Sequence, residues 1–111
     1  MNKLLGALSL CRKAGKLTMG FDPVAESIAG RKAVLVLFAS DLSAGSAGRM
    51  TRICNAAALE PAALPLTQQQ LLEITPKRTG IFAVTDTGLA KLVQSCLPPA
   101  SAIGADDDES N

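Results

Sequence analysis

With 111 residues the chain has the length of one domain and enough material to enclose a single core. Apolar residues make up 48% of it but aromatics only 3%, with no Trp, Tyr or His. A core of Leu, Val, Ile and Ala suits layered helices and parallel strands better than an aromatic-rich β-sandwich. The lack of histidine excludes an imidazole general base and a His-based metal site. Cys11, Cys54 and Cys96 have no CxxC spacing, which argues against zinc or a thioredoxin-type pair. Each falls on an apolar helix face, so reduced, buried thiols in a cytoplasmic protein are expected. No apolar run is long enough to span a membrane, and no secretory pattern opens the chain.

The net charge of +1 conceals an asymmetry. Asp106, Asp107, Asp108 and Glu109 hold four of the ten acids, so the body before them carries +5. Pro98-Pro99 and the small residues that follow read as a linker, and 98–111 is expected to be a disordered acidic tail behind a domain of residues 1–97. The tail serves solubility on one reading and competes with an anionic ligand on another.

In chain order, Leu4, Leu5, Leu8 and Cys11 mark a first helix. Arg12 and Lys13 suit its negative end, and Gly15 suits its stop. Leu17–Met19 reads as a short strand broken by Gly20. Asp22 is placed as N-cap and Pro23 as first residue of a second helix ending near Gly30. Residues 33–38 are continuously apolar, as in a central strand covered on both faces. Met50, Ile53, Cys54 and Ala57 give a third helix the stripe it needs over roughly Ser43–Leu59, with Pro61 beyond it. Leu64–Leu66 is expected as a strand. Thr67 and Gln70 form a capping box for a short fourth helix through Leu72. Ile81–Val84 is a further buried strand, and Asp86 or Thr87 caps a last helix striped by Leu89, Leu92, Val93, Cys96 and Leu97. Such alternation predicts an α/β protein, a three-layer α/β/α sandwich on a small mixed four-stranded sheet.

The compressed run from Cys11 to Ile28 is the first candidate surface. Backbone N–H groups at the start of the second helix, beside Arg12, Lys13 and Lys16, would seat phosphate or RNA. Gly45-Ser46-Ala47-Gly48 lacks the lysine and spacing of a phosphate-binding loop. The body's acids offer no obvious close pair. The sequence therefore nominates no enzyme and no cofactor.

Leu4-Leu5-Gly6 followed by Cys11-Arg-Lys-Ala-Gly-Lys-Leu-Thr-Met-Gly20 resembles the opening of the kink-turn RNA-binding ribosomal proteins. These form the L-seven-Ae / L-thirty-e / S-twelve-e superfamily, and the likeness is to its small bacterial YlxQ-like branch. Lys32–Asp41 is similar to that family's central strand and exit loop, and Ile81–Lys91 to its last strand and helix. The resemblance spans roughly residues 2–97 and rests on the order and spacing of these stretches. It implies an L-thirty-e-like fold that binds RNA without catalysis, in a bacterial ribonucleoprotein or translation setting. In the family the start of the second helix enters a sharply bent internal loop with sheared G·A pairs. The loop before the last strand clasps a flipped-out nucleotide.

The family signature, Asn-Glu-x-x-Lys after Gly-x, is replaced. Gly20-Phe21 precedes Asp22, Pro23 and, at the lysine position, Glu26. An ionised Asp only accepts hydrogen bonds, Pro has neither N–H nor polar side chain, and Glu is repelled by phosphate. The RNA-facing residues implied are Lys13, Lys16, Gly20, Phe21, Asp22, Pro23, Glu26, Ser40, Lys77, Arg78 and Thr79. For Phe21 the alternatives are a base-stacking ring and a hydrophobic staple. For Pro76–Gly80 they are a phosphate-contacting loop and a solvated turn. Asp41 is expected to brace the third helix, and Arg31, Lys32, Arg49 and Arg52 to lie on solvated faces or touch peripheral phosphates. Two functions remain: a binder of structured RNA, or a protein-interaction module on the same fold.

Overall fold

The computed structural model describes residues 2–98; the acidic tail expected beyond Pro98 lies outside the described residues. Among these, five helices and four strands alternate: α1 Lys3–Lys13, β1 Leu17–Met19, α2 Phe21–Ala29, β2 Leu35–Phe38, α3 Ala44–Ala56, β3 Ala62–Ala63, α4 Gln68–Leu71, β4 Ile81–Val84 and α5 Thr87–Cys96. The sheet runs β1-β4-β2-β3. β4 is antiparallel to both β1 and β2, while β3 lies parallel to β2, so the sheet is mixed as expected.

Side-chain alternation on the two central strands builds two cores. Leu35, Leu37, Phe82 and Val84 face α1, α4 and α5, packing with Leu8, Cys11, Leu71 and Val93. Val36, Ile81 and Ala83 face α2 and α3, packing with Val24, Ile28, Met50 and Cys54. Cys11 and Cys54 are buried free thiols, and Cys96 is half-buried. Desolvation by burial raises the thiol pKa of both Cys11 and Cys54.

Caps fix most element ends. The Thr67–Gln70 capping box forms, and Asp86 caps α5 by accepting the Leu89 N–H at 2.8 Å. α1 stops in a Schellman turn, with the Lys16 N–H on the Cys11 carbonyl, the Gly15 N–H on the Arg12 carbonyl and Gly15 at φ 72°. The same turn ends α2 and α3, but Arg31 (φ 59°) and Ala58 (φ 60°) occupy the left-handed positions. Gly30, one residue before Arg31, has φ −82°.

Three expected boundaries are corrected. α2 begins at Phe21 with Gly20 as N-cap, not at Pro23 with Asp22 as cap. Pro23 sits third in the helix, where its missing N–H belongs to a set with no intrahelical acceptor; the first ladder bond runs from the Val24 N–H to the Gly20 carbonyl at 3.1 Å. α3 ends at Ala56 because its Schellman turn closes through the Leu59 N–H on the Cys54 carbonyl. The regular part of β3 is Ala62–Ala63 rather than Leu64–Leu66. Pro65 has no N–H to continue the ladder. Single bonds, Leu64 N–H to Phe38 and Ser40 N–H to Leu66, still hold that stretch beside β2.

Candidate functional site

Because β4 opposes β1 and β2, the end of β1, the end of β2 and the start of β4 share one end of the sheet. Gly20, Ser40 and Gly80 therefore converge. The Gly20 N–H donates to the Ile81 carbonyl at 2.9 Å, and the Ala39 N–H donates to the Gly80 carbonyl at 2.8 Å. Gly20 turns the chain from strand to helix at φ 100°, a conformation that favours glycine.

Asp41 ties these loops together. One carboxylate oxygen accepts the backbone N–H of Gln68, at the start of α4, at 2.9 Å, and the other faces the Arg78 guanidinium at 3.5 Å. Arg78 also reaches Gln69 Oε1 at 3.3 Å. The Gln68 N–H above all, with help from the Gln68 side chain and the Arg78 charge, holds the Asp41 carboxyl below the usual carboxylate range. Asp41 thus braces α4 and the loop before β4; α3, which it was expected to brace, is capped by Ser43 through the Ser46 N–H. Gly80 is buried against this knot. A Cβ there would lie 3.0 Å from the Leu42 side chain and 3.2 Å from that of Gln68, so any larger residue makes both side chains give way.

Phe21 settles between its two alternatives. It is half-buried against the α2–α3 core, and the Arg49 guanidinium lies over its ring, 5.1 Å from the centroid. α3 thereby delivers to this site a cation that the sequence placed on a separate face. An arginine five residues into a helix gives no sequence sign of the aromatic partner it meets. Asp22, Pro23, Glu26, Ser40, Lys77 and Arg78 are exposed, while Thr79 is half-buried. The α2 N-terminus has no side-chain cap, and Pro23 offers it no N–H.

Lys13 and Lys16 do not join this group. Lys16 stands at the beginning of β1, where its carbonyl accepts the Thr85 N–H at 3.0 Å at the other end of β4. Four residue steps of extended chain, about 13 Å, separate it from Gly20. Lys13 lies with it at the end of α1, and Arg12 is engaged elsewhere, donating to the Ile74 carbonyl at 2.9 Å. The single small surface expected from Cys11 to Ile28 is therefore two surfaces, one at each end of β1.

The site can present a ring–guanidinium stack, two further cations and a turn with backbone in close approach. Among the described residues no group of three metal-ligating side chains is assembled, and no helix is long and apolar enough to cross a membrane.

No protein-family model matches the chain, and no curated protein is significantly similar to it. Solved structures do resemble it. A Bacillus halodurans protein of unknown function superposes with a TM-score of 0.78 at 20% identity, over 86% of this chain and 97% of that one. The Giardia lamblia 15.5kD RNA binding protein superposes with a TM-score of 0.70 at 14% identity, over 85% of this chain and 81% of that one. At these identities the likeness concerns the fold, which is the L-thirty-e-like α/β/α sandwich that the sequence resemblance implies.

Proposed function

We propose that this protein is a non-catalytic binder of structured RNA, acting in a ribonucleoprotein of the bacterial cytoplasm. The observation that carries the proposal is the convergence of the Gly20–Phe21 turn, the Ser40–Asp41 exit and the Lys77–Thr79 loop at one end of the sheet. The fold-level likeness to an RNA-binding protein supports it. RNA would lie across this end. Lys77 and Arg78 would hold phosphates, and the Phe21–Arg49 stack would receive an unstacked base.

Asp22, Pro23 and Glu26 cannot supply the hydrogen bonds and charge of the family signature. Recognition then rests on shape and phosphate position more than on base edges. A kink-turn is the internal loop to test first. The exposed acids of the altered signature, Asp22 and Glu26, favour the second reading, a protein-interaction module that has lost RNA binding.

The test is binding to a kink-turn RNA and to the same RNA with its G·A pairs disrupted, across a salt series. Preference for the intact RNA supports kink-turn recognition. Equal, salt-sensitive binding to both supports a general RNA surface. Failure to bind either moves the reading to a protein partner. Lys77→Gln and Arg78→Gln each free one phosphate, and each should lower the log–log salt slope by roughly 0.7–0.9.

A further inference from the structure

The end of the sheet opposite Gly20 carries a cluster of cations that the proposed site does not use. β4 again brings the pieces together. On one side of its last residues, the Thr85 N–H donates to the Lys16 carbonyl at 3.0 Å; on the other, the Val34 N–H donates to the Val84 carbonyl at 2.9 Å. Lys16 and Val34 thus flank the same strand end, about two strand spacings or roughly 10 Å apart, with Lys32 two residues before Val34. α1 brings Lys13 there from one layer, and α2 brings Arg31 from the other.

The two helix stops are built alike. In both Schellman turns a lysine, Lys16 or Lys32, donates its N–H back to the helix, to Cys11 and Ser27 respectively. Lys13, Lys16, Arg31 and Lys32 are all exposed, and among the described residues none makes an ion pair or a side-chain hydrogen bond. Asp86 is the acid closest in sequence to this strand end, and its carboxylate already accepts the Leu89 N–H. At the Gly20 end Lys77 is likewise without a partner among the described residues, while Arg78 is paired with Asp41 and Arg49 is stacked on Phe21.

Favourable placement beside a helix C-terminus accounts for Lys13. It favours Arg31 too, at the end of α2, but does not explain a long side chain at a left-handed position. That arginine holds a left-handed backbone, while Gly30 beside it occupies a conformation open to any residue. The chain keeps a long cation where glycine would be easier, and the guanidinium has no partner among the described residues.

We propose that this end is a second RNA surface, on which Lys13, Lys16, Arg31 and Lys32 hold the backbone phosphates of a helical stem adjoining the loop bound at the Gly20 end. The inference rests on RNA being the partner and adds where its stem runs. β1, an edge strand of the sheet, joins the two ends, so one RNA following that edge reaches both.

The test uses the full chain and two RNAs with the same G·A internal loop, one with a long flanking stem and one with that stem cut back. The variant Lys13→Gln/Lys16→Gln/Arg31→Gly/Lys32→Gln removes the four charges at exposed positions, and the Arg31 change relieves backbone strain. It should lower the salt slope on the long-stemmed RNA by about 3, near 0.7–0.9 per phosphate, and leave the short-stemmed RNA unaffected. An unchanged slope and affinity on the long stem would overturn the inference while leaving the loop site standing. Equal losses on both RNAs would overturn the division into loop end and stem end. Wild-type protein that binds neither RNA would overturn the proposed function as well. Lys16→Gln and Lys32→Gln alone carry the same test, each lowering the long-stem slope by roughly 0.7–0.9, should the fourfold variant not fold.

Discussion

Arg49, midway along α3, lies over the ring of Phe21, the first residue of α2, with 5.1 Å between guanidinium carbon and ring centroid. The pair fastens the α2–α3 layer at the end where the loops of the sheet converge. A double-mutant cycle on Arg49→Ala and Phe21→Leu, followed by thermal unfolding, should return a coupling of about 0.5–1 kcal/mol, the range for a solvent-exposed cation–π contact. If the stack also receives a base, each single variant weakens RNA binding more than it weakens the fold.

Left-handed backbone positions give paired predictions of opposite sign. Gly20→Ala forces a Cβ into φ 100° and should cost about 1–3 kcal/mol in urea unfolding. Ala58→Gly removes a Cβ from φ 60° at the Schellman turn of α3 and should gain about 1 kcal/mol. Ala58 is exposed, so the gain comes with no loss of packing.

The Asp41 brace should be visible in acid. Its carboxyl is held below its unfolded value, so the stabilisation is fully present above that value, near pH 4, and is lost as pH falls through the lower folded value. Asp41→Asn should therefore lower stability at neutral pH, and the gap from wild type should close as the solution is acidified. Chemical denaturation at several pH values reads this directly. A gap that stayed constant down to low pH would show that the ionised carboxylate is not what braces the loops.

Thiol chemistry should separate the three cysteines. Burial raises the pKa of Cys11 and Cys54 and shields both, while Cys96 is half-buried. A thiol reagent added to native protein should modify Cys96 first, with Cys11 and Cys54 reacting only as the chain unfolds. Mass spectrometry of the partly labelled protein identifies the site.

Local chemistry was legible wherever one residue settles its own neighbourhood. The Thr67–Gln70 box and the Gly15 stop were readable, the α5 cap was narrowed to Asp86 or Thr87, of which Asp86 caps, and the buried strand was read over 33–38, of which Leu35–Phe38 is regular, because each needs only partners a few residues away. Pro23 misled by part of a turn. Proline is favoured at the first helical position but is tolerated anywhere in the first turn, and Gly20 could cap without a side chain. Lys16 misled for a reason of distance. Nearness in sequence to Gly20 is not nearness in space when the intervening residues are extended. The Arg49–Phe21 stack and the Arg78–Asp41 pair join residues 28 and 37 positions apart, and only the tertiary packing brings them together.

The outer strand β3 pairs over only two residues, and Pro61 and Pro65 stand on either side of it. An incoming strand needs a run of free donors and acceptors along an edge. Prolines on both flanks remove donors and leave too short a run to template one. The opposite edge, β1, is three residues long and closed at its far end by the Gly20 turn. Among the described residues neither edge therefore offers a run long enough to template the strand of a second copy, and the sheet resists growing edge to edge.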